Sequence, residues 1–388
     1  MNILIVGGGF GGVKAALELA KKKKNTITLV SNSANFQYYP ALFSTATGHS
    51  YKESWVPLAK IFRKAKNVRI VTDMIDTINP DDHTVHGESG RIYKYDELIL
   101  SLGSVTSYFG IEGLDVYSYG IKSETEIRKL QGHLFREMSD GSDDEKNYVI
   151  IGAGPTGVEL AGALGEYVRV LRAHFGIQKK TVKISVIEAA PRVLPRLSEK
   201  SSEKALNRLK QLGVHVETDK KVEKMTAEAL IVNGKPLQTQ TVIWTSGVMN
   251  APFYKKNAEH FDLNERGKVK VDEFMRARAH VYVIGDNSNT PYAGLAQTAL
   301  HDGIFVAKHL MGSKKTYKPK SPPCVVPIGH GWALFEWGKL RFGGRLGGLL
   351  RRAADLIGYH DILPISWAIG TWRAGTKKEL RIPEKMEM

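Results

Sequence analysis

Two copies of one glycine pattern constrain this chain more than any other feature. Gly7-Gly8-Gly9-Phe10-Gly11-Gly12 directly follows the apolar run Ile3 to Val6, and Gly152-Ala153-Gly154-Pro155-Thr156-Gly157 directly follows Tyr148 to Ile151. Each reads as strand, tight turn, helix. The first glycine permits the turn, the second lets backbone N–H groups approach a pyrophosphate, and the third lets the helix pack closely on the strand. One such motif is weak evidence. Two in one chain, each between a strand pattern and a helix pattern, imply two dinucleotides held at once.

The surroundings of each loop repeat. After the first, Val13, Ala16, Leu17 and Ala20 mark one helix face and Thr26 to Val30 the next strand; after the second, a helix from 156 to about 175 leads to the strand Lys183 to Ile187. A polar stretch, Ser139 to Lys146, precedes the second unit and reads as a surface loop. The strand Glu97 to Leu100 ends in Ser101-Leu102-Gly103-Ser104, and Thr241 to Trp244 ends in Thr245-Ser246-Gly247-Val248. Such small residues let the chain run close to a ligand. The late apolar segment His280 to Ile284, followed by Gly285-Asp286, lies outside both repeats and reads as a strand that completes the first domain. The expected fold is therefore α/β, with two Rossmann-like dinucleotide-binding domains, the second inserted in the first. Residues 1–120 and 262–335 form the outer domain, 121–261 the inserted one, and 336–388 a C-terminal amphipathic helical region.

Composition narrows the chemistry. With 42% hydrophobic and 24% charged residues the 388-residue chain is ordinary globular protein. No apolar run reaches the roughly 18 residues of a spanning helix. Ile3 already begins a core strand, so no secretory leader is expected and the cytoplasm is the expected compartment. The single cysteine, Cys324, leaves no redox-active thiol pair, which removes disulfide reduction and sulfide oxidation. It reads as a small apolar filler between Pro322-Pro323 and Pro327. The formal charge of +15 suits either a polyanionic neighbour, membrane or nucleic acid, or a solvated surface.

Two glycine loops, two small-residue crossovers and a late Gly285-Asp286 resemble the two-dinucleotide-binding flavoproteins. Within them, Gly152 to Gly162, Ile187-Glu188-Ala189-Ala190-Pro191-Arg192-Val193-Leu194-Pro195, Trp244 to Val248 and Ala296-Gln297-Thr298-Ala299 resemble the type II NADH:quinone oxidoreductases. The resemblance covers residues 1 to about 380. It implies non-covalent FAD in the first site, at Gly7, Gly9, Gly11, Gly12, Ser31, Pro40, Met74, Gly103, Gly285, Asp286 and Ala296. It implies NADH in the second, at Gly152, Gly154, Thr156, Gly157, Glu188 and Gly247, and no metal.

Glu188 falls where an acid accepts hydrogen bonds from the ribose hydroxyls and repels a 2′-phosphate, so NADH is expected over NADPH. In the first site Ser31 stands at that position; Ser31, Asn32 and Ser33 offer only neutral hydrogen bonds. Three residues carry the expected catalytic roles. Glu159, in the first turn of the second helix, is placed near the nicotinamide, where the macrodipole favours its ionised form. Gln297 matches the family's acceptor side, where quinone arrives. His301 replaces a second glutamine; it either helps protonate reduced quinone or is a structural histidine.

The C-terminal region carries two apolar stripes at helical spacing. Leu346, Leu349, Leu350, Ala353 and Ile357 are accompanied by Arg341, Arg345, Arg351 and Arg352; Ile362, Ile365, Ile369 and Trp372 by Trp367, Arg373, Lys377 and Lys378. Such stripes, rimmed by Arg and Lys and carrying tryptophans, suit an anionic membrane interface, the favoured reading beside a lipid-soluble acceptor; packing on the protein's own core or a homodimer contact is the alternative. The expected protein is a peripheral, non-pumping NADH:quinone oxidoreductase on the cytoplasmic side of the cell membrane, with quinone as partner. The alternatives are a soluble flavin reductase serving a protein or oxygen, and a flavin-bearing sensor or scaffold. Nucleic acid is disfavoured, because no aromatics interleave a basic strand face.

Overall fold

Continuous apolar runs rich in β-branched residues build two mainly parallel sheets in this computed structural model, which describes residues 1–139, 145–177, 182–239 and 241–376. The first sheet has six strands in the order Arg276–Arg278, Val281–Val283, Glu97–Leu100, Asn2–Val6, Thr26–Ser31 and Val68–Thr72. All pairs are parallel except the outermost, Arg276–Arg278 against Val281–Val283. The late strand thus lies beside Glu97–Leu100, far from it in sequence. The second sheet is fully parallel: Val214–Glu217, Val182–Ile187, Lys146–Ile151, Thr241–Trp244. Its strands are covered on both faces, as parallel sheets require.

Register fixes where the loops emerge. Val6 lies opposite Val30 and Ile151 opposite Ile187, so each glycine loop leaves the carboxyl end of its sheet, the edge at which doubly wound sheets bind ligands. The helices that follow are Phe10–Ala20 and Pro155–His174. Val13 and Ala16 of the first helix are fully buried, in a core shared with Ile3, Ile5, Leu29 and Val306. The helix Ala296–Leu310 packs along Phe10–Ala20 with Gly303 at the crossing, where a Cβ would sit 2.4 Å from the Gly11 carbonyl oxygen. Of the polar stretch Ser139 to Lys146, residues 140–144 lie outside the described residues.

After the second sheet the chain forms an antiparallel sheet, Cys324–Pro327, Ala333–Trp337 and Leu340–Gly344, then the helices Arg345–His360 and Ile365–Ala374. The two C-terminal stripes have different fates. Leu346, Leu349 and Ile357 are exposed at 60, 65 and 64%. Ile362, Leu363 and Ala368 instead join the core of the first domain, with Tyr359 stacked on Tyr38 at 4.2 Å. The helix Ile365–Ala374 folds back against Tyr51–Ser54, so Ile362 and Trp372 of the second stripe meet protein, while Ile365 stays 51% exposed. Full burial stabilises by about 1.5–3 kcal/mol per large aliphatic side chain, which favours that outcome. Arg351, expected on the basic rim, is likewise drawn inward. Lys377 and Lys378 lie outside the described residues.

Candidate functional site

The two glycine loops have one geometry. Gly7 (φ +116°) and Gly152 (φ +101°) turn through the region that favours glycine, and their N–H groups donate to Val30 and Ile187 carbonyls, each at 2.8 Å. A Cβ at Gly12 would lie 2.0 Å from the Gly7 oxygen, and one at Gly157 1.9 Å from the Gly152 oxygen. These glycines are packing requirements. Gly9 and Gly154, the residues before each helix, face open space, and neither helix has a side-chain cap. The free N–H groups of two long helices are therefore left pointing out of the loops, a cradle that fits a pyrophosphate at each.

The two crossovers pair with each other. Ser104–Thr106 runs antiparallel to Val248–Asn250, with Val105 opposite Met249. Asn287 ties this ribbon to the late turn: its amide nitrogen donates to the Gly103 carbonyl (2.6 Å) and Asn250 Oδ1 (2.5 Å), and its oxygen accepts from Gly103 N–H (2.9 Å). One small-residue seam thus joins both dinucleotide sites. Asp286, at its end, accepts from Ser104 Oγ at 2.9 Å. Lys122 and Lys268 face it; burial lowers both ammonium pKa values, with Asp286 opposing. Gly285 (φ +70°) donates its N–H to the buried Asp302 at 3.0 Å.

Beside the second loop lies a cavity of about 510 Å³ lined by Gly152, Glu188, Lys221, Trp244, Ser246 and Phe109. Glu188 is held rigidly: Oε2 accepts from Ala153 N–H at 2.6 Å and Oε1 from Ala190 N–H at 2.8 Å. A carboxylate has about four lone-pair sites, so two remain for ligand hydroxyls. Thr156 is exposed at the mouth of the loop, and Gly247 (φ +76°) packs under Phe109. In the first site Ser31 is buried against Gly8, where a Cβ would meet its Oγ at 2.5 Å, and that oxygen accepts from Ser33 N–H. Met74 is half exposed; its N–H goes to Asp73 and its carbonyl to Glu88.

Glu159 departs most from expectation. It is the fifth residue of its helix, past the first turn in which it was expected, and burial of its carboxylate, 13% exposed, pushes its pKa up to about 7 against the pull of Arg351. Arg351, from the helix Arg345–His360, reaches it at 3.3 Å. The same guanidinium donates to the Pro40 carbonyl (2.6 Å), the Val325 carbonyl (3.2 Å) and Asp355 (3.0 Å), over the Phe43 ring. Burial works against its charge, but Asp355 and Glu159 hold it protonated. The Pro40 carbonyl thereby anchors the helix Arg345–His360. Cys324 lies close enough to feel Glu159; burial raises its thiol to about 11, which leaves it a poor nucleophile.

Ala296 opens its helix, and Gln297 is exposed in its first turn, near the exposed Tyr292 and Leu295. His301 follows one turn on, its Nε2 3.1 Å from the Lys318 carbonyl and its ring against Tyr317. Gln297 and His301 share one helix face. Sequence reading missed Asn287, Asn250 and Asp302 and took Arg351 only as a rim charge; the roles of all four rest on contacts between distant segments. Only Asn287, directly after Gly285-Asp286, had a local signal.

A family model described as pyridine nucleotide-disulphide oxidoreductase matches residues 1–303. A type II NADH:quinone oxidoreductase of Mycobacterium tuberculosis is 29% identical over 95% of this chain and 86% of its own length. One from Staphylococcus aureus is 28% identical over 80% of this chain and 81% of its own. Among solved structures, NDH2 from Plasmodium falciparum in complex with NADH superposes with a TM-score of 0.85 at 16% identity, over 100% of this chain and 99% of that one. At that identity the superposition speaks for the fold alone.

Proposed function

The chain belongs to the pyridine nucleotide-disulphide oxidoreductase family, and from that footing we propose that it oxidises NADH and reduces a quinone, the activity for which its type II relatives are named. The observation that carries this reading is the seam Ser104–Thr106 with Val248–Asn250, which brings two pyrophosphate cradles together in a chain with one thiol. A bound flavin supplies two-electron chemistry between a hydride donor and a quinone.

The residues divide the work. The cradle at Gly152, Gly154 and Gly157 holds the NADH pyrophosphate, and Glu188 holds its ribose hydroxyls. Gly7, Gly9, Gly12 and Asp286 serve FAD, with Ser31 giving the neutral contact. Glu159 near pH 7 sits between its charged and neutral forms, so it can hold or release a proton beside the electron path. Gln297 orients the quinone, with His301 one turn behind it as a second polar contact.

The exposed stripe Leu346, Leu349 and Ile357, with Arg345 and Arg352 beside it, seats the protein on the anionic cytoplasmic face of a membrane, where quinone resides. Among the described residues no helix is long and apolar enough to cross a membrane. The test is steady-state turnover with NADH and a short-chain quinone, alongside vesicle co-sedimentation of a Leu346→Ser/Leu349→Ser/Ile357→Ser variant. The variant should lose vesicle binding and keep soluble-quinone turnover. Unchanged vesicle binding with a shifted dimer equilibrium would assign the stripe to self-association.

A further inference from the structure

A second and larger cavity, about 880 Å³, lies on the helix Ala296–Leu310 beyond His301, between that helix and the segment 313–320. Five of its lining residues are lysines: Lys308, Lys314, Lys315, Lys318 and Lys320. No lining residue is acidic, and none of the five ammonium groups has an ion-pair or hydrogen-bond partner among the described residues. The segment is nonetheless fixed in place. Tyr317 N–H donates to the Glu273 carbonyl at 2.7 Å, its hydroxyl to Asp302 at 2.6 Å, and His301 meets the Lys318 carbonyl. The five lysines therefore give one concave surface a positive field with no acidic side chain in its lining, which suits an anion.

What lies beside the cavity selects the anion. Trp337 Nε1 donates to the Ser321 carbonyl at 3.3 Å, so the hairpin tip 337–340 abuts the end of the lysine segment. Trp337 and Leu340 on that tip are 55 and 56% exposed. Two exposed apolar side chains, Trp337 and Leu340, flanking Lys339 beside a basic basin match the two layers of a lipid surface, acyl chain and headgroup.

We propose that the basin is a binding site for the phosphate of an anionic lipid headgroup, seated as the hairpin tip meets the bilayer. This rests on the membrane reading above. It goes beyond it by assigning a discrete phosphate pocket where diffuse attraction would otherwise suffice. The cavity's size lies within the range of small-ligand sites. The basin also lies along the helix face that begins at Gln297, so headgroup binding fixes the acceptor end relative to the membrane.

The experiment uses FAD-loaded full-length protein and vesicles of phosphatidylcholine with and without phosphatidylglycerol. The variant is Lys314→Glu/Lys315→Glu/Lys318→Glu; the control is Lys94→Glu/Lys235→Glu/Lys255→Glu, with the same change in charge on other elements. The basin variant should lose affinity for the anionic vesicles by about tenfold or more, the control by less than about threefold, as screened surface charge would give. Equal losses in both overturn the pocket. Calorimetry with inorganic tripolyphosphate separates the sources: if vesicles fail to bind at all, the membrane reading falls. A one-to-one isotherm removed only by the basin variant then reassigns the pocket to a soluble phosphate anion, and no isotherm overturns it.

Discussion

Arg351 Nη1 lies 3.3 Å from Glu159 Oε1, tying the helix Arg345–His360 to the helix Pro155–His174 that follows the second glycine loop. The guanidinium also bonds the Pro40 and Val325 carbonyls, so one side chain clamps three separate segments. Replacing Arg351 by Met leaves Glu159, 13% exposed, and the partly buried Asp355 without their cation. Breaking a buried pair from one side costs about 3–5 kcal/mol, so thermal unfolding should move sharply downward. Arg351→Lys should recover only part, because an ammonium cannot reproduce the planar fork.

Glu159 gives the pH profile its shape. With a pKa of about 7, turnover should show a limb near neutrality that Glu159→Gln removes. Loss of Arg351 takes away the group that lowers this pKa, so the limb should move to higher pH in any Arg351 variant that still folds. A limb that does not move would separate Glu159 from the titration.

The loops and both crossovers were legible in the sequence because each is a local pattern: strand, small residues, helix. Their pairing into one seam through Asn250 and Asn287 was not, since hydrogen bonds between residues 37 apart leave no periodic trace. The C-terminal stripes show the limit of amphipathicity most clearly. Ile362 and Ile365 belong to one stripe at helical spacing, yet Ile362 is buried in a core and Ile365 is 51% exposed, as are Leu346, Leu349 and Ile357 of the other stripe at 60, 65 and 64%; tertiary contacts decide what each residue meets. Arg351 reads as a rim charge in sequence for the same reason. The ionised form expected for Glu159 considered the dipole and not the burial.

The third glycines separate the two sites. Gly157→Ala would place a Cβ 1.9 Å from the Gly152 oxygen, and Gly12→Ala one 2.0 Å from the Gly7 oxygen. The first should raise the Kd for NADH while the purified protein keeps its flavin colour. The second should yield protein depleted in flavin. Absorbance of the purified variants and NADH titration distinguish these outcomes.

Glu188 sets the nucleotide preference. Glu188→Ala removes the ribose contacts and the repulsion of a 2′-phosphate, so kcat/KM for NADH should fall by about tenfold, equivalent to 1.4 kcal/mol, and that for NADPH should rise. An unchanged ratio would place the adenine ribose elsewhere.

Glu53 couples stability to pH. It is 6% exposed, and burial raises its pKa to about 8, opposed by hydrogen bonds from Ser44 and Thr45. A carboxyl whose folded pKa lies above its unfolded value of 4.5 contributes stability that is full below that value and lost as pH rises through about 8. The melting temperature should therefore fall between these limits. Glu53→Gln should flatten the decline and raise the melting temperature on the alkaline side.

The central claim is electron passage from NADH to a quinone through one flavin site, and anaerobic rapid mixing tests it most directly. Purified protein should bleach its flavin absorbance with one equivalent of NADH and recover it fully on adding one equivalent of a short-chain quinone. Bleaching by NADH followed by recovery only with oxygen or a protein acceptor, and none with quinone, would contradict the account.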